Sequence, residues 1–288
     1  MNTLNDESRL RQQLARQCRQ TLAERSRVVR RGAPRAVHDL RVATRRLEEL
    51  LEFLQPVLPA RPRKRLIRRS RRVRRSLGQI RNVDVMRDLV ERYARRLPKA
   101  RRRSLKPLIE RLSSQAIALR QAGGGGHGLK LPSLRKRIVA VRARWRRPDK
   151  FSTIRRGREI LATRIQELKA ALPTARSGGP EALHSLRIVI KRYRYSIEIL
   201  QQAGFRQARP WLRAARMLQT ELGRLHDLDI LIVLVRDEAG WAVARALLPE
   251  LREERRERLQ QVTGVIERFD PTVALELIDT LLAKEAAA

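Results

Sequence analysis

Apolar residues recur at three- and four-residue spacing along most of the chain, and strand-like alternation is absent. The pattern predicts helices. Breaks fall at Gly32-Ala33-Pro34, Pro56 to Pro62, Pro98, Gly123 to Gly128, Pro148, Pro173 to Pro180, Gly204 and Pro271. Pro34 and Pro180 stand where a first helical turn would begin, a position proline tolerates because its missing N–H has no intrahelical partner there. The glycine run around His127 reads as a flexible linker near the middle of the chain.

The hydrophobic pattern occurs twice. VHDLRVATRRLEELLEFL from Val37 matches LHSLRIVIKRYRYSIEIL from Leu183, so that His38 and His184 stand 146 residues apart. SLGQIRNVDVM from Ser76 matches ELGRLHDLDIL from Glu221, with Gly78 on Gly223 and Asp84 on Asp229, 145 apart. Lys64, Arg68 and Arg71 fall on Arg209, Arg213 and Arg216 at the same offset. Two blocks in one order with nearly one offset predict an all-α protein of two homologous four-helix bundles. The expected boundaries are 5–122 and 149–270. A linker and connecting helix (Leu131 to Arg147) lie within 123–148, and a C-terminal helix or tail occupies 271–288.

On a helical wheel the repeated helices are two-faced. In the first, Leu40, Ala43, Leu47, Leu50, Leu51 and Leu54 form the core side, and His38, Arg41, Arg45 and Glu52 gather opposite. In the second, Leu186, Val189, Tyr193, Ile197 and Leu200 face His184, Arg187, Lys191, Arg194, Tyr195 and Glu198. Arg46 aligns with Arg192. The next helix carries Lys64, Arg68, Arg71 and Arg75 in one half and Arg209, Arg213 and Arg216 in the other, each opposite an apolar side. A charged face is most often a solvated surface. Here the same residue types recur in both copies, which favours a binding function. Asp84 and Asp229 face the apolar side and are expected to partner buried arginines or cap a kink at Gly78 and Gly223.

Composition narrows the ligand. Across 288 residues, Lys and Arg total 66 against 30 Asp and Glu, a formal net charge of +36. The cations are 57 Arg and 9 Lys, and guanidinium forks suit phosphate oxygens; a GC-rich genome would also favour Arg codons, but would not remove acids. From Arg61 to Arg103 there are 19 cations and 3 acids, a self-repelling density that anions would screen. Aromatics at 3% argue against a base-stacking platform. One cysteine, Cys18, excludes a disulfide framework. No apolar run reaches the ~20 residues of a membrane span, and the polar N-terminus lacks a secretory pattern. A cytoplasmic protein with a polyanionic partner and no cofactor is expected. His38 and His184, one per half and without nearby acids, make a poor metal set; His127 and His226 are set aside as incidental. No Walker motif, acidic Mg²⁺ cluster or nucleophile–base pair is visible, so no enzyme is expected.

These motifs resemble the CHAD family, the conserved histidine α-helical domain. The resemblance rests on His38-Asp-Leu-Arg41 with Arg45-Arg46, on His184-Ser-Leu-Arg187 with Lys191-Arg192-Tyr193-Arg194-Tyr195 and Glu198, and on the blocks at Leu77 to Asp84 and Leu222 to Asp229. It spans roughly residues 5 to 270. One acidic position of the family pattern is Asn82 in the first half and Asp227 in the second. The resemblance implies two four-helix bundles about a pseudo-two-fold axis, with a basic groove between them lined by the His and Arg/Lys positions. It further implies inorganic polyphosphate as ligand and association with polyphosphate granules; some members carry a fused triphosphate-handling domain marked by a Glu-x-Glu-x-Lys strand motif, which this sequence lacks, so a stand-alone binding module is expected. The alternative from charge alone is non-specific nucleic-acid binding over the whole basic surface.

Overall fold

The computed structural model describes residues 3–122, 133–143 and 153–286. The glycine run with His127 and the break at Pro148 lie outside these residues. The elements are α1 (Thr3–Arg31), α2 (Pro34–Phe53), α3 (Ala60–Ser76), α4 (Gly78–Arg96), α5 (Lys99–Gln121), α6 (Arg135–Arg142), α7 (Thr153–Ala175), α8 (Pro180–Ala203), α9 (Arg209–Glu238), α10 (Trp241–Arg268) and α11 (Val273–Ala286). Single 3₁₀ turns sit at Gln55–Val57 and Arg206–Ala208. Among the described residues there is no strand, and the fold is all-α.

The helix starts follow the sequence. Pro34 and Pro180 each open their helix behind an extended residue, Ala33 and Gly179. Two boundaries differ from the pattern. Gly240, with φ 79°, separates α9 from α10, a break that a single glycine between two amphipathic runs did not announce. The expected connecting helix is short, starting at Arg135 and ending at Arg142.

α2 and α8 are the central helices. α2 packs against α1, α3 and α8, while α8 packs against α7, α9, α1 and α2. The buried apolar residues form two clusters. The larger holds Leu10 and Leu14 of α1, Leu47 and Leu51 of α2, Leu66 of α3, Leu161 of α7, Leu186 and Tyr193 of α8 and Leu218 of α9. The smaller joins Val90 of α4 and Leu105 of α5 to Leu231 of α9 and Leu247 of α10. Each cluster therefore draws on both halves of the chain. Truncating a fully buried leucine such as Leu47 to alanine would cost about 2–5 kcal/mol.

Matched contacts hold the repeat together. Arg120 donates from Nη2 to both carboxylate oxygens of buried Asp84, at 2.7 and 2.8 Å, and from Nε to Gly32 O at 2.9 Å. Arg255 donates to Asp229 at 2.5 Å and to Gly178 O at 3.1 Å. Gly32 and Gly178 both have positive φ, 58° and 72°, which only glycine adopts cheaply at these helix ends. Asp84 and Asp229 are thus arginine partners, as their apolar-side position suggested.

Candidate functional site

The packing of α2 on α8 brings the two polar stripes into one cluster. Arg41 and Arg45 of α2 stand close enough to Arg187 and Lys191 of α8 to oppose each other's charge. Lys191 is half-buried, and its ammonium is pushed down to about 7. Burial is the largest cause, followed by repulsion from Arg187, Arg45, Arg194 and Arg41. Arg41 is pushed down to about 10 by burial and then by Arg74, Arg81, Arg45 and Arg187. No carboxylate pairs directly with Arg41, Arg45, Arg187 or Lys191 among the described residues. Influence of that sign comes from Asp227 of α9, whose charge favours the cation at Arg187 while burial raises its own carboxyl, and from Glu49 of α2, which feels Arg45.

The repeated glycines seat the repeated arginines. An ideal Cβ on Gly78 would lie 3.8 Å from Arg41 Nη1, and one on Gly223 would lie 3.7 Å from Arg187 Nε. Each guanidinium therefore lies over bare helix, at a distance where an added methyl would just touch it. In the first half Arg41 Nη1 also donates to Arg74 O at 2.6 Å. That carbonyl is the one a continuous helix would offer to the Gly78 N–H. α3 ends there and α4 begins, whereas α9 runs unbroken through Gly223.

The histidines occupy the N-terminal ends of the stripes. His38 opens to solvent at the start of α2, and partial desolvation of its ring, with the charges of Arg81 and Arg41, lowers its affinity for a proton, Asp39 opposing. His184 is half-buried and lowered by burial, Arg187 and Lys191. Its Nδ1 lies 3.2 Å from Nδ1 of His226, so one ring must donate and the other accept. His226 is pushed down to about 4 by burial, Arg187, His184 and Lys191.

The remaining predicted residues divide by exposure. Lys64, Arg68, Arg71 and Arg75 on α3 are exposed, as are Arg209, Arg213 and Arg216 on α9. Arg71 is tied to Glu48 at 2.6 Å, and Arg216 to Glu198 at 2.9 Å. Arg194 is buried, bonded to Glu198 at 2.9 Å with its guanidinium 4.2 Å above the Tyr195 ring. Arg46 reaches Glu198 across the two halves, and Arg192 pairs with Glu167 at 3.1 Å. The α8 stripe is therefore open only in its N-terminal half. Residues 193 to 200 are all buried because α1 and α2 cover the side of α8 that the wheel left polar. A cleft of about 610 Å³ between α2, α3, α7 and α8 is lined by Arg45, Arg71, Arg74, Arg164 and Arg192, but also by Glu48, Glu49, Glu52 and Glu159. Its cations are neutralised from within: Arg74 lies 2.7 Å from Glu48, and Arg164 lies 3.7 Å from Glu49. Burial raises the Glu48 carboxyl, but Arg74 and Arg71 outweigh it and hold the group below its ordinary range.

The CHAD domain matches residues 12–236 of the chain. The chain belongs to the CHAD domain family. The CHAD fold is seen also in two solved structures. The crystal structure of the CHAD domain from the plant Ricinus communis superposes with a TM-score of 0.67 at 20% identity, covering 92% of each chain. PptA from Streptomyces chartreusis gives 0.61 at 16% identity, covering 91% of this chain and 97% of that one. No curated protein matches the chain significantly. No helix among the described residues of this CHAD protein is long and apolar enough to cross a membrane.

Four members of the site were not singled out in the sequence. Arg74 lies one position off the exposed row of α3, and its signal is visible only once Glu48 is seen beneath it. Arg81 and His226 occupy the same repeat position, and each faces the histidine of its own half. The repeat placed them together, but their unlike chemistry concealed a shared location. Asp227 has Asn82 as its counterpart, and only the acid can offset Arg187.

Proposed function

We propose that this CHAD protein binds inorganic polyphosphate, with Arg41, Arg45, Arg187 and Lys191 as the primary contacts. The observation that carries the reading is the meeting of these four cations from both halves without direct carboxylate partners. Such a cluster is electrostatically uncomfortable alone, and a string of phosphates relieves it through charge-assisted hydrogen bonds and counterion release. His38 and His184 extend the contact at the stripe ends. Lys64, Arg68 and Arg75 on one side, and Arg209 and Arg213 on the other, guide the outgoing chain. The protein acts as a binding module rather than a catalyst, and by the same contacts it associates with polyphosphate granules.

Competition at fixed ionic strength tests this. Long-chain polyphosphate, duplex DNA and ATP are compared at equal phosphate concentration as displacers of labelled polyphosphate. A long chain spans the cluster and the flanking rows at once, so it should outcompete ATP by orders of magnitude. Equal displacement by DNA would favour the diffuse basic-surface reading.

A further inference from the structure

We propose that a second anion site lies in a cleft of about 650 Å³ between α1, the C-terminal end of α8 and the start of α9, and that it takes a small hydroxyl-rich phosphate ester such as a sugar bisphosphate. Arg9 and Arg16 of α1 and Arg209 of α9 open into it. Three amides, Gln12, Gln201 and Gln202, complete its polar wall. The volume suits one small molecule. Among the described residues no carboxylate lines it, unlike the cleft beside α3 and α7. Arg16 and Arg209 make no ion pair and no side-chain hydrogen bond among those residues.

Two local devices build the cleft. Gln13 is 4% exposed, and its Nε2 donates to Gln202 Oε1 at 2.8 Å, which fixes one wall from beneath. Gly204 follows the last turn of α8 with φ 124°. A Cβ there would collide with Nη1 of Arg9, so the glycine lets that guanidinium close over the helix end, where Nη1 donates to Ala203 O at 3.4 Å. One amide and one guanidinium are thus held in place, while Arg16 and Arg209 stay exposed.

The cleft is separate from the cation cluster. Gln201 lies ten residues past Lys191 on α8, about 15 Å along the helix axis. That distance exceeds the Debye length of about 8 Å at physiological salt, so the cluster adds little to the attraction of an exposed ion here. The lining selects the ligand. Three guanidinium groups bind phosphate oxygens in pairs and match the roughly 3–4 negative charges of two phosphate monoesters. An amide both donates and accepts, so the glutamines suit hydroxyl groups, which a bare phosphate chain lacks. Among the described residues no aromatic side chain lines the cleft, so a nucleobase has no stacking partner there.

The inference does not rest on polyphosphate binding, and calorimetry on the full chain at physiological salt separates the two. Fructose 1,6-bisphosphate is the probe. Arg41→Gln with Arg187→Gln serves as the background, since it weakens the cluster and leaves the cleft intact. In that background the bisphosphate should bind at least tenfold more tightly than fructose, pyrophosphate or ATP. Adding Arg16→Gln and Gln201→Ala should weaken it at least tenfold. The same two substitutions in the otherwise unmodified chain should also weaken the bisphosphate, yet change the affinity for long-chain polyphosphate less than threefold. Circular dichroism confirms that each variant is folded. Bisphosphate binding that is lost in the background, or that survives Arg16→Gln with Gln201→Ala, would overturn the proposal and leave polyphosphate binding untouched. So would pyrophosphate or ATP binding the background as tightly as the bisphosphate does.

Discussion

Two arginine-rich regions lie side by side on this molecule, and they differ in their carboxylates. In the cleft beside α3 and α7, Glu48 alone takes Arg71 at 2.6 Å and Arg74 at 2.7 Å, and Glu49 faces Arg164. Where α2 meets α8, Arg41, Arg45, Arg187 and Lys191 have no such partners, and burial, followed by mutual repulsion, depresses the proton affinities of Arg41 and Lys191. Arg45 stands at the boundary, lining the cleft and pressing on Lys191. The cleft has the more arginines, six against three beside Lys191, with Arg45 counted in both. What makes one of them a candidate site is the charge left over once the protein has paired its own groups.

The comparison can be broken by removing a carboxylate. Glu198 is 4% exposed and holds Arg46, Arg194 and Arg216. Glu198→Gln leaves Arg194 buried with a weaker partner, and should lower stability by about 2–4 kcal/mol. Polyphosphate affinity of the folded fraction should rise, since Arg46 and Arg216 are released toward solvent. Chemical denaturation and a binding titration below the melting transition read the two effects. A drop in affinity would show that Glu198 orders the site rather than neutralising it.

The reverse experiment relieves the unpaired cluster. Lys191→Met keeps a similar volume and removes the charge. Ligand-free stability should rise by about 1–2 kcal/mol, while polyphosphate affinity falls. The pH dependence follows from linkage. Lys191 titrates near 7 folded and at about 10.4 unfolded, so between those values the unfolded chain binds more protons. Its penalty is therefore full below pH 7 and shrinks as pH rises, and ligand-free stability should climb from pH 7 to 9. In Lys191→Met that part of the climb should vanish. Melting curves across this range decide it, and an unchanged slope would contradict the assignment.

The smallest effect belongs to the histidines. His38 and His184 are held below the ordinary histidine range in the free protein, burial being the largest cause for each. Bound phosphate reverses the local field, so binding takes up protons and affinity rises as pH falls from 8 to 6. Lys191 contributes to the same trend. His38→Gln with His184→Gln should reduce the slope without abolishing it, and adding Lys191→Arg should remove most of the remainder. Affinity against pH at fixed ionic strength measures each share.

Much of this site could be read in the sequence because the repeat doubled every signal. His38 with His184, Arg41 with Arg187 and Gly78 with Gly223 each appeared twice at one spacing, and the contacts of both arginines with their glycines explain why. Partnership was harder to read. Arg194 and Glu198 lie on the polar side of an ideal wheel, yet α1 and α2 cover that side and the pair is buried. Which half of a stripe remains open depends on which helix crosses it, and periodicity carries no such information. His226 was lost for another reason: its value comes from lying 3.2 Å from His184, a contact made across 42 residues.

The central claim is that position, not charge count, governs binding. Arg41→Gln, Arg45→Gln, Arg187→Gln and Lys191→Gln combined remove four charges from the cluster. Arg95→Gln, Lys99→Gln, Arg103→Gln and Lys106→Gln remove four from the exposed surface of α4 and α5. Titration of both folded variants with long-chain polyphosphate at physiological salt compares them directly. At about 1.5–3 kcal/mol for each charge-assisted contact, the cluster variant should lose at least a thousandfold in affinity, and the surface variant less than tenfold. Equal losses in the two variants would contradict the account.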